Sequence, residues 1–362
     1  MKILIVGATQ GSNFGDYLFA QMFQDYISRL IGIENTFFYR NCLTFSSFYA
    51  EHLKNRNKCS VKDVDAIIYM SGGYFCGDDA NIKSYICRFF RYVWVGLKGI
   101  MLKKPIAIIA VEVGPTNCWI LRRTEKILFD RARLLIVRNN ESSEYVNIIC
   151  KRKVNSIVTA DSVFAMKKSF FSDKEVPCSV SSCTKKKMFL HISPYYGHNA
   201  VIIEKIIPIV RHFIERHSEY QLFIGTDQYS PKQLEAIEEV KKYMPGVNVV
   251  SLNYSDPIVL CQVLDNMDLI ITYKLHVGIV GAHLGKSVIS FSGHTEKIKR
   301  LYRQLGIDFR SLSLEHLTFE QGCKMLEEYH NINISIPQRI VDIAETNFVM
   351  LSDFIASLQK EI

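Results

Sequence analysis

No charge-free apolar run approaches the ~20 residues that a bilayer-spanning helix needs, so no membrane-crossing segment is expected. The start of the chain, "MKILIVGATQ", lacks a long apolar core and a small-residue cleavage site, which argues against a secretory signal and for a cytoplasmic protein. The 10 cysteines include no CxxC pair and no regular spacing, so a disulfide framework is excluded and free thiols are expected. No His/Cys/Asp cluster has metal-ligand spacing, and neither a metal nor a cofactor is expected. Proline is scarce, at 9 in 362 residues. With 48% hydrophobic residues, a chain of this length can bury more than one core, and two domains are expected.

The chain does carry a net charge of +8. That balance fits an anionic substrate, a membrane surface or nucleic acid. Nucleic acid is the least favoured, because the basic residues are dispersed and no binding motif appears.

Short β-rich runs alternate with longer helical patterns. "KILIV" (2–6), "DAIIYM" (65–70), "PIAIIAV" (105–111) and "RLLIV" (133–137) form one series. "MFLHI" (188–192), "YQLFIG" (220–225), "VNVVSL" (247–252), "DLIIT" (268–272) and "SVISF" (287–291) form another. Continuous Ile/Val/Leu runs are the mark of strands buried on both faces of a parallel sheet. The pattern predicts an α/β chain with two Rossmann-like, doubly wound domains: 1–170, then a Ser/Lys-rich linker 171–187, then 188–335. A final helix, 336–362, is expected to pack across the domains. Ser230, Pro231 and Gln233 read as a helix start with a capping box.

Ligands of such sheets bind beyond the carboxyl ends of the strands. "GATQGSNFGD" (7–16) follows the first strand and precedes a helix expected near Asp16. Its glycines allow backbone to approach a ligand, although the spacing is neither GxGxxG nor GxxxxGK[ST]. A plain turn with Asn13 and Asp16 as turn and cap residues explains it equally well. In "ITYKLHVGIVGAHLGKSVIS" (271–290) the strand breaks at Lys274-Leu275-His276. If that turn stays extended, Lys274 and His276 point the same way. "SGHTEK" (292–297) adds His294 and Lys297 nearby, and the glycine-rich loop at 70–79 offers Gly73. Arg138 ends a buried strand with Asn140 or Ser142 placed to cap the next helix. A neighbouring Asp is as good a partner for its guanidinium as a substrate. Asp161 reads as a structural cap.

Taken in order, "GSNFGD", "SGGYF", "VGP", "VRNNESS", "ADSVF" and "KLHVGIVGAHLGKSVIS" resemble the polysaccharide pyruvyl transferase family over roughly residues 1 to 305. The resemblance implies a GT-B-like pair of domains facing a cleft. It also implies transfer of an enolpyruvyl-derived unit from phosphoenolpyruvate, as co-substrate, onto a sugar as a cyclic ketal. The partners implied are phosphoenolpyruvate and a sugar acceptor, with a lipid-linked surface-polysaccharide precursor as the form expected. His276 is then the general acid, because an imidazole can be protonated near neutrality and an anionic donor raises its pKa further. Asp16 is the candidate base, or else a helix cap. Arg138 and Lys274 are candidates to hold the donor, and Leu275, Asn13, Gly15, Gly73, His294 and Lys297 to line the site. Family members more often carry Arg at the position of Lys274, and lysine keeps the charge without the two-pronged contact.

The nearest alternative is a GT-B glycosyltransferase using a nucleotide sugar, with Glu296 as the carboxylate for its ribose or diphosphate-sugar. Further off is a non-catalytic sugar-binding protein, for which Arg138, Lys274 and His276 bring too much charge. "RFFRYVWVGLKGIMLKK" (88–104) suits either a packed crossover helix with basic ends or a peripheral contact with the inner face of an anionic membrane.

Overall fold

A computed structural model describes residues 1–40, 46–53, 58–77, 82–293 and 295–361. The chain divides into two units, one of residues 1–12, 16–166 and 339–362, the other of 13–15 and 167–338. Among the described residues, no helix is long and apolar enough to cross a membrane.

In the first unit, β1 (Ile3–Val6), β2 (Thr36–Phe38), β3 (Ala66–Tyr69), β4 (Gly72–Phe75), β5 (Ile106–Val113), β6 (Leu134–Val137) and β7 (Ile157–Val158) form one sheet. Their order is β2-β1-β3-β5-β6-β7, with β4 pairing on β5, and every pair is parallel. β1 and β3 are buried along their whole length, as strands covered on both faces must be. β5 carries one extra residue against β6, with Ile108 opposite Leu135 but Val111 opposite Val137. Ala110 takes up the bulge in the left-handed region, at φ 49°. Because side chains alternate along a strand, the bulge changes which face each later residue of β5 presents.

The helix Phe14–Ile31 begins two residues earlier than expected, where Asn13 Oδ1 accepts the Gly15 N–H at 3.1 Å. The helix Asn140–Cys150 is capped by Asn139, not by Asn140 or Ser142. Asn139 Oδ1 accepts the Ser142 N–H at 2.8 Å, and Ser142 Oγ accepts from the amide of Val113. The helix Gln338–Gln359 packs Phe348 against the rings of Phe23 and Tyr26, and the buried Asn347 donates to Ala160 O and Ser162 Oγ.

The second unit contains β8 (Lys186–His191), β9 (Tyr220–Gly225), β10 (Val249–Leu252), β11 (Leu269–Thr272), β12 (Ser287–Ser292) and β13 (Ser311–Ser313). All pairs are parallel, in the order β10-β9-β8-β11-β12-β13. Counted from β8 this is 3-2-1-4-5-6, the Rossmann order, in which the direction of strand addition reverses between β8 and β11. Residues 171–187, read from the sequence as a linker, are counted with this unit. The helix expected at Ser230 begins only at Gln233, and no capping box forms there. Gln233 instead accepts from Thr226 Oγ1 and the Tyr254 amide and donates to Tyr254 O, tying together the loops that follow β9 and β10.

Candidate active site

The carboxyl ends of β8 and β11 meet at the switch point, and the polar side chains there form one network. His191 is the last residue of β8, Asp227 stands two residues past β9, and Thr272 closes β11. All three are buried. Asp227 Oδ1 receives Lys274 Nζ at 2.7 Å and lies 3.1 Å from His191 Nε2. His191 Nδ1 is 3.2 Å from Thr272 Oγ1, and its ring stacks on Tyr273 with centroids 4.8 Å apart.

Burial alone would raise the Asp227 carboxyl, but Lys274 and His191 outweigh it and hold it well below the usual carboxylate range. Burial lowers His191 despite Asp227, so the imidazole is neutral at pH 7. A depressed carboxyl stabilises the fold above its unfolded value of 3.8, and that contribution is lost progressively as pH falls from there towards the folded value. Thermal midpoints measured from pH 5 to pH 3 will therefore fall faster for wild type than for Asp227→Asn. Parallel curves would show that the pair contributes nothing to acid stability.

Beyond Lys274 the turn does not stay extended. Lys274 is the extended N-cap (φ −113°, ψ 155°), and the helix Leu275–His283 starts at the next residue. His276 therefore lies in the first helical turn, and the alternation read from the sequence fails. The two side chains still come to one corner by another route. The Phe14 amide donates to Asp227 O at 2.9 Å, within the second unit, and a Cβ built on Gly15 would lie 2.0 Å from His276 Nδ1. The imidazole thus occupies space that only glycine leaves open. Helix 275–283 can sit low over the sheet because Gly278 and Gly281 face Tyr302 and Ile270, where a Cβ would come within 2.4 and 2.5 Å. Its amino end points its first N–H groups at the corner that holds Lys274, a setting that favours an anion.

The other sequence candidates are placed as follows. Leu275 opens the helix and is half-buried. Lys297 is on the helix Thr295–Leu305 after β12, as is Glu296, which is exposed. His294 lies outside the described residues. In the first unit, Gly73 is half-buried in β4, and Asp16 is in the first turn of helix 14–31. Burial, with the Asp16 charge as a further cause, raises the phenols of Tyr74 and Tyr92, so both are neutral hydrogen-bond donors.

Arg138 takes the protein partner that the sequence left open. Its Nη1 binds Asp161 Oδ2 at 2.8 Å, its Nη2 binds Glu112, and all three side chains are buried. Asp161 also caps the turn 162–165 through the Val163 N–H. One guanidinium between two carboxylates carries net negative charge, which is no invitation to an anionic donor, and its two terminal nitrogens are already engaged.

His191 and Asp227 were not among the candidates. Each sits at or just past the end of a strand that was recognised, and that position was their only signal in the sequence.

The model of the family described as "Polysaccharide pyruvyl transferase" matches residues 13–295, well over half of the chain. The chain belongs to this family. Its matched region contains the Lys274-Leu275-His276 corner, Asp227 and His191. No curated protein matches the sequence. Among solved structures, the UDP-GlcNAc 2-epimerase of Methanocaldococcus jannaschii aligns at a TM-score of 0.63 and 12% identity, covering 97% of this chain and 99% of that one. The Neisseria meningitidis UDP-GlcNAc 2-epimerase bound to UDP-GlcNAc aligns at 0.62 and 12%, over 100% of both chains. Acinetobacter baumannii MurG aligns at 0.50 and 12%, over 98% and 99%. At these identities the likeness is one of fold, and the fold is GT-B.

Proposed function

We propose that this polysaccharide pyruvyl transferase moves the pyruvyl unit of phosphoenolpyruvate onto a sugar of a lipid-linked surface-polysaccharide precursor. A proton adds to the donor's methylene carbon, and one sugar hydroxyl attacks the cationic carbon next to it. The C–O bond to phosphate breaks, inorganic phosphate leaves, and a second hydroxyl closes the cyclic ketal. The two hydroxyl protons balance the one added to carbon and the one carried off with phosphate.

The observation that carries this reading is the corner at the switch point, where Lys274, a helix amino end and the His276 imidazole converge. The donor is a carboxylate and a phosphate on three carbons, which such a corner is suited to hold. Lys274 has three N–H donors and spends one on Asp227, so it keeps its position while donating to the ligand. Each charge-assisted hydrogen bond to the donor contributes ~1.5–3 kcal/mol. His276 supplies the proton as general acid. Asp16 is the carboxylate we assign to the acceptor hydroxyl's proton.

The second reading, a glycosyltransferase using a nucleotide sugar, is favoured by the UDP-GlcNAc bound in the N. meningitidis relative. The two are separated by thermal shift with phosphoenolpyruvate, UDP-sugars and GDP-sugars, followed by phosphate release over a panel of lipid-linked and nitrophenyl hexosides. We expect stabilisation by phosphoenolpyruvate, one phosphate per product, and a product heavier by pyruvate less water. Stabilisation by a nucleotide sugar alone, with no phosphate released from phosphoenolpyruvate, would replace this reading with the second.

A further inference from the structure

Residues 82–104 contain no Asp or Glu and six Lys or Arg. They fold as one continuous helical rod, Ile82–Arg88, a π-type turn Phe89–Val93, then Trp94–Met101. One side of the rod is fixed to the core of the first unit. Arg88 is buried there, with Nη2 2.8 Å from Glu125 and 2.9 Å from Thr116. Gly96 and Gly99 lie so close to the sheet that a Cβ would come within 2.4 Å of Tyr69 Oη and 2.3 Å of Ile67. Arg88 therefore belongs to the interior and not to the basic surface that the sequence offered.

The other side is apolar and in solvent. Ile82 is 76% exposed, and Ile86, Phe90, Trp94, Met101 and Leu102 are all exposed as well. The first four recur every fourth residue. In a regular α-helix that spacing drifts about 40° per step. The wider turn at 89–93 takes back part of this drift and keeps the stripe on one side. The rod is roughly 30 Å long at 1.5 Å per residue. The neighbouring helix Trp119–Arg131, tied to the rod through Thr116 and Glu125, begins with exposed Trp119 and Ile120.

A soluble surface rarely exposes so many large apolar side chains in one run. The charge says which partner. Lys83 and Lys103, both exposed, flank the stripe, Lys104 is half-buried, and no carboxylate within the segment offsets them. Aromatic and aliphatic residues on a helix with a cationic border match the headgroup boundary of an anionic bilayer. We propose that the face formed by Ile82, Ile86, Phe90 and Trp94, with its lysine border, seats the protein on anionic lipid, the rod lying in the plane of the membrane.

The test is flotation with vesicles of phosphatidylcholine alone and of phosphatidylcholine with phosphatidylglycerol. No donor or acceptor is added, so the result is independent of the transfer reaction. Wild type should float with the anionic vesicles and much less with the neutral ones. Phe90→Ser/Trp94→Ser should lose at least tenfold in partitioning. Lys83→Gln/Lys103→Gln/Lys104→Gln should lose on the order of 100-fold on anionic vesicles only, at about fivefold per lysine. Ile82→Ser/Ile86→Ser is a second apolar variant, and unchanged circular dichroism and thermal midpoint qualify each protein for comparison. Wild type that does not float, or variants that float equally well, would overturn the proposal. So would a dimer that Phe90→Ser/Trp94→Ser converts to monomer without any vesicle binding, since the stripe would then be a contact between copies of the chain.

Discussion

His276→Ala should lower turnover ~10²–10⁴-fold, the range for a positioned proton transfer, while the Michaelis constant for phosphoenolpyruvate stays nearly unchanged. The donor's methylene carbon is a weak base, so without a placed acid its protonation falls to water. The structure adds a way to reach the same imidazole without touching it. A Cβ on Gly15 would stand 2.0 Å from His276 Nδ1 and 2.1 Å from Cγ, inside the van der Waals envelope of the ring. Gly15 does not have a positive φ, so its backbone accepts alanine and the conflict falls on the imidazole. Gly15→Ala should therefore lose turnover on the same scale as His276→Ala, with its thermal midpoint close to wild type. Once the ring is gone the conflict is gone as well, and the double variant should be no slower than His276→Ala alone. Strong non-additivity of this kind is expected of residues that act as a unit. Independent, multiplying losses would separate Gly15 from the imidazole, and a His276→Ala enzyme near wild-type turnover would remove the general-acid role.

The parts of this corner differ in how readable they were. Runs such as "DLIIT" and "MFLHI" announce buried strands by composition, and the break at Lys274 announces an end, because a cation does not continue a buried strand. Both follow from neighbours in sequence. That β8 lies beside β11 does not, since 3-2-1-4-5-6 is an order in space that no periodicity encodes. His191 and Asp227 were missed for that reason: only the strand order puts one against the other and both against Lys274. The short strands Thr36–Phe38, Gly72–Phe75, Ile157–Val158 and Ser311–Ser313 were missed for a local reason. Two to four residues are too few to show a period, and the second of these strands begins with two glycines, which disfavour strand. The start of helix 275–283 at Leu275 was hidden because Lys274, its N-cap, has no side chain able to accept from the helix amides.

Arg138→Ala should destabilise the first unit by about 3–5 kcal/mol, the cost of leaving buried charge without its counter-ion. Glu112 and Asp161 are 1% and 0% exposed and meet at Arg138 through the bulge at Ala110. Val111 and Val137 are register partners beyond the bulge, so Glu112 lies opposite Arg138. Without the extra residue it would lie opposite Asn139 and leave the guanidinium with Asp161 alone. Removing the guanidinium sets two carboxylates together in low dielectric, and each raises the other's pKa. Protonation of one relieves the repulsion. The sign follows: in the variant the folded pKa values stand above the unfolded ones, so its stability falls as pH rises through them. The deficit against wild type should be smaller near pH 5 than near pH 8. Arg138→Lys keeps one charge but not the two-pronged grip, and should fall between the two. Thermal melts across pH, set beside donor titrations of the same proteins, distinguish this role from donor binding. A variant that melts like wild type but needs far more phosphoenolpyruvate would give Arg138 back to the substrate.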